Sequence, residues 1–451
     1  MNMRFDDSLP AMAKVLIEEL GAASLEAGMA VRDISGRLAF FIADTLQPQH
    51  MDHIRHRLAA TLGPYARSDR VLAGATDLGA DRILNDPGSL TLDVGGMRIR
   101  LLDRRLVGAD WLRRPAPIAP LPPRFVFASL KGGVGRSTAL AVAAAALAAK
   151  GRRVLAIDLD MEAPGLGAML LDEGTVPEFG IVDALVENGF APLDDTFLAD
   201  LVGPSALADR HGRIDVLPAF GRRSLAHPGD VLAKLARAYA EDLRPDGTLA
   251  TLLDQVRELV DRLADSRRYD AILVDARAGL HETTASAILG LGAYVFLFGL
   301  DEPQTFQGYE FLLAHLARLT APNGASEWLE RLTMVQGRAP LDDDLRAAFA
   351  DRCGELFERA GLTRSKGQST EVRLPAEPFH DVPWDNDSTN PLTDDELLPW
   401  DDLSLRRPLA ILDDPRYSNF APARRRDLLQ EAVYRSTFGS FVDQVLEVVG
   451  V

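Results

Sequence analysis

Two rhythms of apolar and polar positions divide this chain. Up to about residue 113 the period changes every dozen residues or so. Apolar side chains recur at helical spacing over 11–23 and 50–62. Residues 29–43 read as a strand pair turning at Ser35 and Gly36, and 89–102 as a hairpin turning at Gly95 and Gly96. This predicts a small α/β unit. From residue 124 onward, short apolar runs alternate with longer helical patterns. The runs are 125–128, 153–160, 269–275, 293–299 and 332–336, with 215–218 as a further strand. Helical patterns cover 139–149, 180–188, 230–241 and 249–263, and two more, 423–434 and 438–449, close the chain. Strands alternating with helices predict a second, larger α/β unit.

A proline-rich run separates the two. Residues 114–123 hold five prolines and predict an extended, semi-rigid linker. The expected organisation is therefore a partner-binding unit over 1–113, a linker over 114–123 and a main domain over 124–451. The stretch 361–417 is irregular and rich in Asp and Pro. Its acidic groups, Asp394, Asp395 and Glu396 with Asp401 and Asp402, lack the spacing of a calcium loop and read as solvated.

Net charge is −17, and residues 1–120 carry 15 basic and 15 acidic side chains, so the acidic excess belongs to the main domain. Binding to nucleic acid phosphates rests on Lys and Arg, so this balance disfavours a nucleic-acid partner. The single cysteine, Cys353, excludes a disulfide frame or a cysteine metal cluster within one chain. His53 and His56 lie three apart on a predicted helix, without a third metal ligand, and read as surface histidines. The longest apolar run is too short to span a bilayer. The last helical pattern carries Asp443 and Glu447 and no basic residue, which disfavours an anionic membrane surface. The expectation is a cytoplasmic protein with no membrane partner.

Residues 129–138 carry the chemistry. They read Ser-Leu-Lys-Gly-Gly-Val-Gly-Arg-Ser-Thr. The stretch follows an apolar strand and opens an Ala-rich helix, the setting a phosphate-binding loop needs. Gly132, Gly133 and Gly135, with Val134 among them, let the backbone turn and aim N–H groups at phosphate oxygens. The helix that follows adds the positive end of its dipole. Ser137 offers a hydroxyl to Mg²⁺, and Thr138 a second one near the phosphates. The common loop reads G-x-x-x-x-G-K-[ST]. Here Arg136 occupies the usual lysine position, and an additional lysine, Lys131, stands near the start.

That early lysine is the deviant Walker A signature, and the chain resembles the MinD/ParA group of ATPases over about residues 124–451. More narrowly it is similar to the variant set whose loop reads KGGVGR. The resemblance implies a doubly wound, mostly parallel sheet of the P-loop NTPase type, with ATP and Mg²⁺ as ligands. It implies a homodimer that sandwiches nucleotide, with Lys131 reaching the partner subunit's nucleotide. Asp158 and Asp160 match the family's Asp-x-Asp. They place Asp160 near the attacking water and Asp158 near the Mg²⁺ shell, with 161–166 as a switch segment. Asp275 ends a Walker B pattern and would hold Mg²⁺ through water, beside Ser137. Arg277, Ala278 and Gly279 stand where relatives carry a second switch, and Arg277 is a further candidate to touch phosphate. Gln336 and Arg338 match positions beside adenine, and Pro383 a late loop near the base.

Arg136 is planar, always charged and able to fork onto two oxygens, so it can still stabilise a triphosphate. Two functions follow. One is an ATPase switch that regulates an unidentified protein through residues 1–113 or the insertion between Asp160 and Asp275. The other is a nucleotide-locked scaffold with little turnover; KGGVGR proteins are found in accessory bacterial gene neighbourhoods, defence modules among them. A DNA-partition role is weakened by the charge.

Overall fold

The computed structural model describes residues 3–208, 211–244, 247–319, 328–360, 362 and 407–451. Pro383 and the acidic groups at 394–402 lie outside these residues.

The first part of the chain forms a five-stranded sheet in the order β3-β2-β1-β5-β4, from β1 (Met29–Arg32), β2 (Leu38–Phe41), β3 (Leu72–Ala73), β4 (Leu90–Val94) and β5 (Met97–Asp103). Both predicted hairpins are present: β1 pairs β2 and β4 pairs β5, each antiparallel. Between them β1 and β5 run parallel. Helices Phe5–Leu20 and Pro48–Leu62 bury Met12, Leu16, Ile54 and Leu58 in a core of its own.

The second sheet has eight strands in the order β15-β14-β13-β6-β12-β7-β9-β8. They are β6 (Arg124–Ser129), β7 (Arg153–Asp158), β8 (Gly203–Pro204), β9 (Arg213–Leu217), β12 (Ala271–Ala278), β13 (Tyr294–Gly299), β14 (Leu332–Ala339) and β15 (Leu409–Leu412); β10 (Asp242–Leu243) and β11 (Leu249–Ala250) form a separate two-stranded ribbon. Every pair in the large sheet is parallel except β8 with β9. The fold is α/β, doubly wound and mostly parallel, with a smaller α/β unit before it. From β6 the chain crosses to β7, and β12 later fills the place between them. The carboxyl ends of these three neighbours open onto one crevice, where parallel sheets place their ligands.

Helix Arg136–Ala149 explains its Ala-rich composition. It is buried along most of its length between the sheet and helix Glu431–Val449, so only small side chains fit. Phe441 of the latter helix meets the rings of Phe127, Phe296 and Phe298 at 4.9–5.9 Å. Each buried Phe is worth about 1.5–3 kcal/mol, which holds this helix on the sheet. No helix among the described residues is long and apolar enough to cross a membrane.

Three helix readings need correction. The two closing helices are one: Glu431–Val449 is continuous, preceded by the short 3₁₀ turn Arg426–Leu429. The polar step at 435–437 that suggested a break is a docking contact, since Thr437 Oγ1 donates to Asp414 at 2.9 Å. The pattern at 249–263 also splits. Leu249 and Ala250 pair with β10, and the helix starts at Leu252, where Thr251 and Asp254 close a capping box. At the other end of the chain, the helical pattern over 11–23 is two helices, Phe5–Leu20 and Ala22–Ala27, divided at Gly21 with φ 82°.

Candidate functional site

The Gly-rich loop leaves β6 and enters helix Arg136–Ala149. Gly133 and Gly135 hold φ of 77° and 94°, which other residues rarely adopt. Val134 is buried beneath the loop, whereas Gly132, Gly133 and Gly135 are exposed, and a Cβ added at any of them would meet nothing within 4 Å. The loop thus presents bare backbone to the crevice.

Helix entry turns Arg136 inward. Its guanidinium is buried, with Nη2 3.5 Å from Asp160 Oδ2 and Nε 3.7 Å from Asp275 Oδ1. Ser137 Oγ donates to the other oxygen of Asp275. Asp158, at the end of β7, accepts N–H bonds from Asp160 at 3.1 Å and Leu166 at 3.0 Å. It therefore also shapes the turn that carries Asp160. Asp160 in turn accepts from Ala163 N–H at 3.3 Å. The structure brings Arg136, Ser137, Asp158, Asp160 and Asp275 into one site. Thr138 stands half-buried in the same first turn.

Burial dominates the electrostatics. It pushes Asp158 up to about 7, aided by the charge of Asp275, and pushes Asp275 up to about 6 despite Arg136 and the Ser137 bond. Asp160 is likewise raised by burial, with Arg136 opposing. Two of these carboxylates, Asp160 and Asp275, thus share one buried guanidinium, and the charges of both bear on Asp158. In the ligand-free protein this predicts stability that falls as pH rises. The unfolded chain ionises these groups near 3.8, while the folded chain keeps its protons up to about 6–7. Over that window the native state binds more protons, so each pH step upward favours unfolding. Melting temperature in EDTA should drop from about pH 5 to about pH 8, and Asp275→Asn should flatten the slope. A melting temperature that rises over this range in both proteins would refute the assignment.

The donor set fits a magnesium-bound nucleotide. Arg136 Nη1 and Asp275 Oδ1 are buried without hydrogen-bond partners. A cation set among three carboxylates, a free guanidinium N–H and a bare glycine loop have complementary chemistry to a divalent ion and phosphate oxygens.

Other expected residues lie around this centre. Lys131 is half-exposed and pairs with Glu302 at 3.0 Å. Gln336 is buried near the end of β14, and Arg338 is exposed with φ 48°. Between them Gly337 approaches the loop so closely that a Cβ there would lie 2.3 Å from the Val134 carbonyl. β14 was expected to end at Gln336 and β12 at Asp275; both continue past a register shift, to Ala339 and Ala278. The shift after Asp275 turns the chain so that Gly279 N–H reaches Ser129 C=O at 2.8 Å. A cavity of about 280 Å³ lies beside Lys131, Val134 and Gly279, against helix Pro303–Leu319. His53 faces Glu19 at 3.4 Å and His56 bonds the Asp52 carbonyl at 2.7 Å; among the described residues no three His, Cys, Asp or Glu side chains are arranged to hold a metal by themselves.

Two residues escaped the sequence reading. Glu162 pairs with Arg277 at 2.6 Å, joining the segment after β7 to the end of β12, and accepts from Tyr239. Glu302 follows β13 and holds Lys131. Both are charged residues just beyond a strand end, which was the available signal.

Fold and site together define a P-loop nucleotide-binding protein. Residues 125–327 match the family model of the CobQ/CobB/MinD/ParA nucleotide binding domain. That stretch of the chain is similar to the P-loop nucleotide-binding domain of the MinD/ParA group. It is 27% identical over 261 residues to an uncharacterized protein of Pseudomonas putida, covering 57% of this chain and 85% of that one. Among solved structures it is similar to the cell division ATPase MinD of Pyrococcus furiosus, at 19% identity and TM-score 0.40, over 73% of this chain and 100% of that one. A ParA family ATPase from Chlorobium tepidum shows 16% identity and TM-score 0.41, over 72% and 98%.

Proposed function

We propose that this protein binds ATP with Mg²⁺, hydrolyses it, and uses the cycle to switch a partner protein. The observation that carries the reading is the buried Arg136 guanidinium between Asp160 and Asp275, with Ser137 on Asp275, under a bare glycine loop. The N–H groups of 132–137 and the Arg136 fork would bind phosphate oxygens. Ser137, Asp275 and Asp158 would hold Mg²⁺, which when bound supplies charge neutralisation on those oxygens. Asp160, turned toward the same site, would orient water and accept its proton. Two copies would face each other across the loops, with Lys131 leaving Glu302 for the partner subunit's nucleotide. Residues 1–113 or the insertion before β12 would meet the regulated protein.

One observation favours the scaffold reading. Arg136 stands close to Asp160, the group needed for turnover. Steady-state phosphate release with MgATP, measured beside equilibrium ATP binding, separates the two. Release supports the switch; tight binding without release supports the scaffold; absence of binding overturns both.

A further inference from the structure

The strand that carries Asp275 leads through 276–281 into Glu282, seven positions later. Glu282 is held from the first part of the chain. Gly108, Ala109 and Asp110 direct three successive backbone N–H groups at its carboxylate: Gly108 and Ala109 to Oε1, the latter at 3.2 Å, and Asp110 to Oε2 at 3.4 Å. Gly108 makes this possible with φ 78°. Such a concave run of N–H groups is a built carboxylate site.

The grip continues along the same element. Asp110 is buried; its Oδ2 accepts from Leu253 N–H at 2.9 Å and from Ser286 Oγ at 3.4 Å. Further on, Ala116 N–H reaches Leu289 C=O at 2.7 Å, and Ala119 N–H reaches Gly292 C=O at 2.9 Å. Residues 108–119 therefore track residues 282–292 from end to end. Trp111, buried with its carbonyl 2.6 Å from His315 Nε2, and Arg113, on both oxygens of Asp254 at 2.8 and 3.0 Å, fix this strap to two further helices. The gripped element is itself irregular. Four α-helical residues, Glu282–Ala285, run into a π turn, Ser286–Gly290. Such turns are rare and concentrate at functional sites. On the site side, Thr284 Oγ1 donates to the Arg277 carbonyl at 3.0 Å, and Arg277 pairs with Glu162 of the segment after β7.

We infer that Glu282 is a positioning residue through which residues 1–113 are coupled to the nucleotide site. The inference rests on the nucleotide-binding reading above. Segment 276–281 must move if contacts near Asp275 change, and its far end is tied to the strap that continues into β5. Coupling of this kind is reciprocal for binding: nucleotide alters the strap, and loosening the strap alters nucleotide affinity by the same factor.

The test uses the full chain with MgATP, or a slowly hydrolysed analogue if turnover interferes. Peptide-level hydrogen exchange over residues 104–113 is measured with and without nucleotide, beside equilibrium binding, for wild type and Glu282→Gln. The expected result is a change of at least about fivefold in exchange over 104–113 on nucleotide binding, and a change of at least about fivefold in the affinity of E282Q. Nucleotide that binds the wild type without altering this exchange overturns the coupling and leaves the nucleotide reading standing. So does an E282Q protein that binds nucleotide, and responds to it, as wild type does. No binding by the wild type overturns both readings. The exchange arm needs only the unaltered chain, so it decides even where the variant fails to fold.

Discussion

Replacing Arg136 with alanine should lower MgATP affinity by at least about 100-fold and destabilise the ligand-free protein by about 3–5 kcal/mol. The guanidinium is buried and lies within 3.7 Å of both Asp160 and Asp275, and Asp158 adds a third carboxylate. Removing one partner of a buried ionic group leaves the rest uncompensated. The carboxylates would then take up protons or repel one another, and phosphate would meet a site with no fixed cation. Arg136→Lys separates charge from shape. A lysine restores the charge as a compact ammonium but cannot fork onto two acceptors, so it should recover most of the stability and part of the affinity. Titration calorimetry with MgATP and thermal unfolding read both effects. Wild-type affinity in Arg136→Ala would remove Arg136 from the phosphate site.

The second large effect is kinetic. Asp160→Ala should reduce turnover by about 10²–10⁴-fold, the usual worth of a positioned proton acceptor, while MgATP still binds. Asp160 carries less of the backbone than Asp158 does. It accepts a single N–H bond, from Ala163, and its pairing with Arg136 is loose at 3.5 Å. Deleting it also relieves repulsion among the three acids, so affinity should hold or rise. Single-turnover phosphate release beside equilibrium binding distinguishes a lost chemical step from a lost ligand. Unchanged turnover would show that Asp160 serves only to hold the turn at 160–163.

What the sequence disclosed follows from range. The loop at 129–138, the acids at 158 and 160, and Asp275 each announce themselves within ten residues, as glycine spacing or as an apolar run closed by a carboxylate. The hairpins of the first sheet were legible for the same reason: alternation broken by Gly36 or by Gly95 and Gly96. The parallel joining of β1 to β5 was not, because no local pattern says which strand lies beside which. The same blindness hid the grip of Gly108 on Glu282, whose partners stand 174 positions apart. Prolines at 115–123 told of stiffness but not of where the stretch lies. The continuity of the helix at 431–449 was hidden by its polar step at 435–437, where the Thr437 hydroxyl seats on Asp414 in a contact far along the chain.

The strap along 282–292 also moves the practical border between the two parts of this chain. A cut in the proline run, at 123, would strip away Asp110, Trp111 and Ala116. It would leave Leu253 N–H without its acceptor, Glu282 without its donors and an apolar socket open to water. Anyone wishing to express the nucleotide-binding portion by itself should begin upstream of Gly108, near the end of β5. A chain grafted in place of residues 1–103 would then inherit the handle along with the engine.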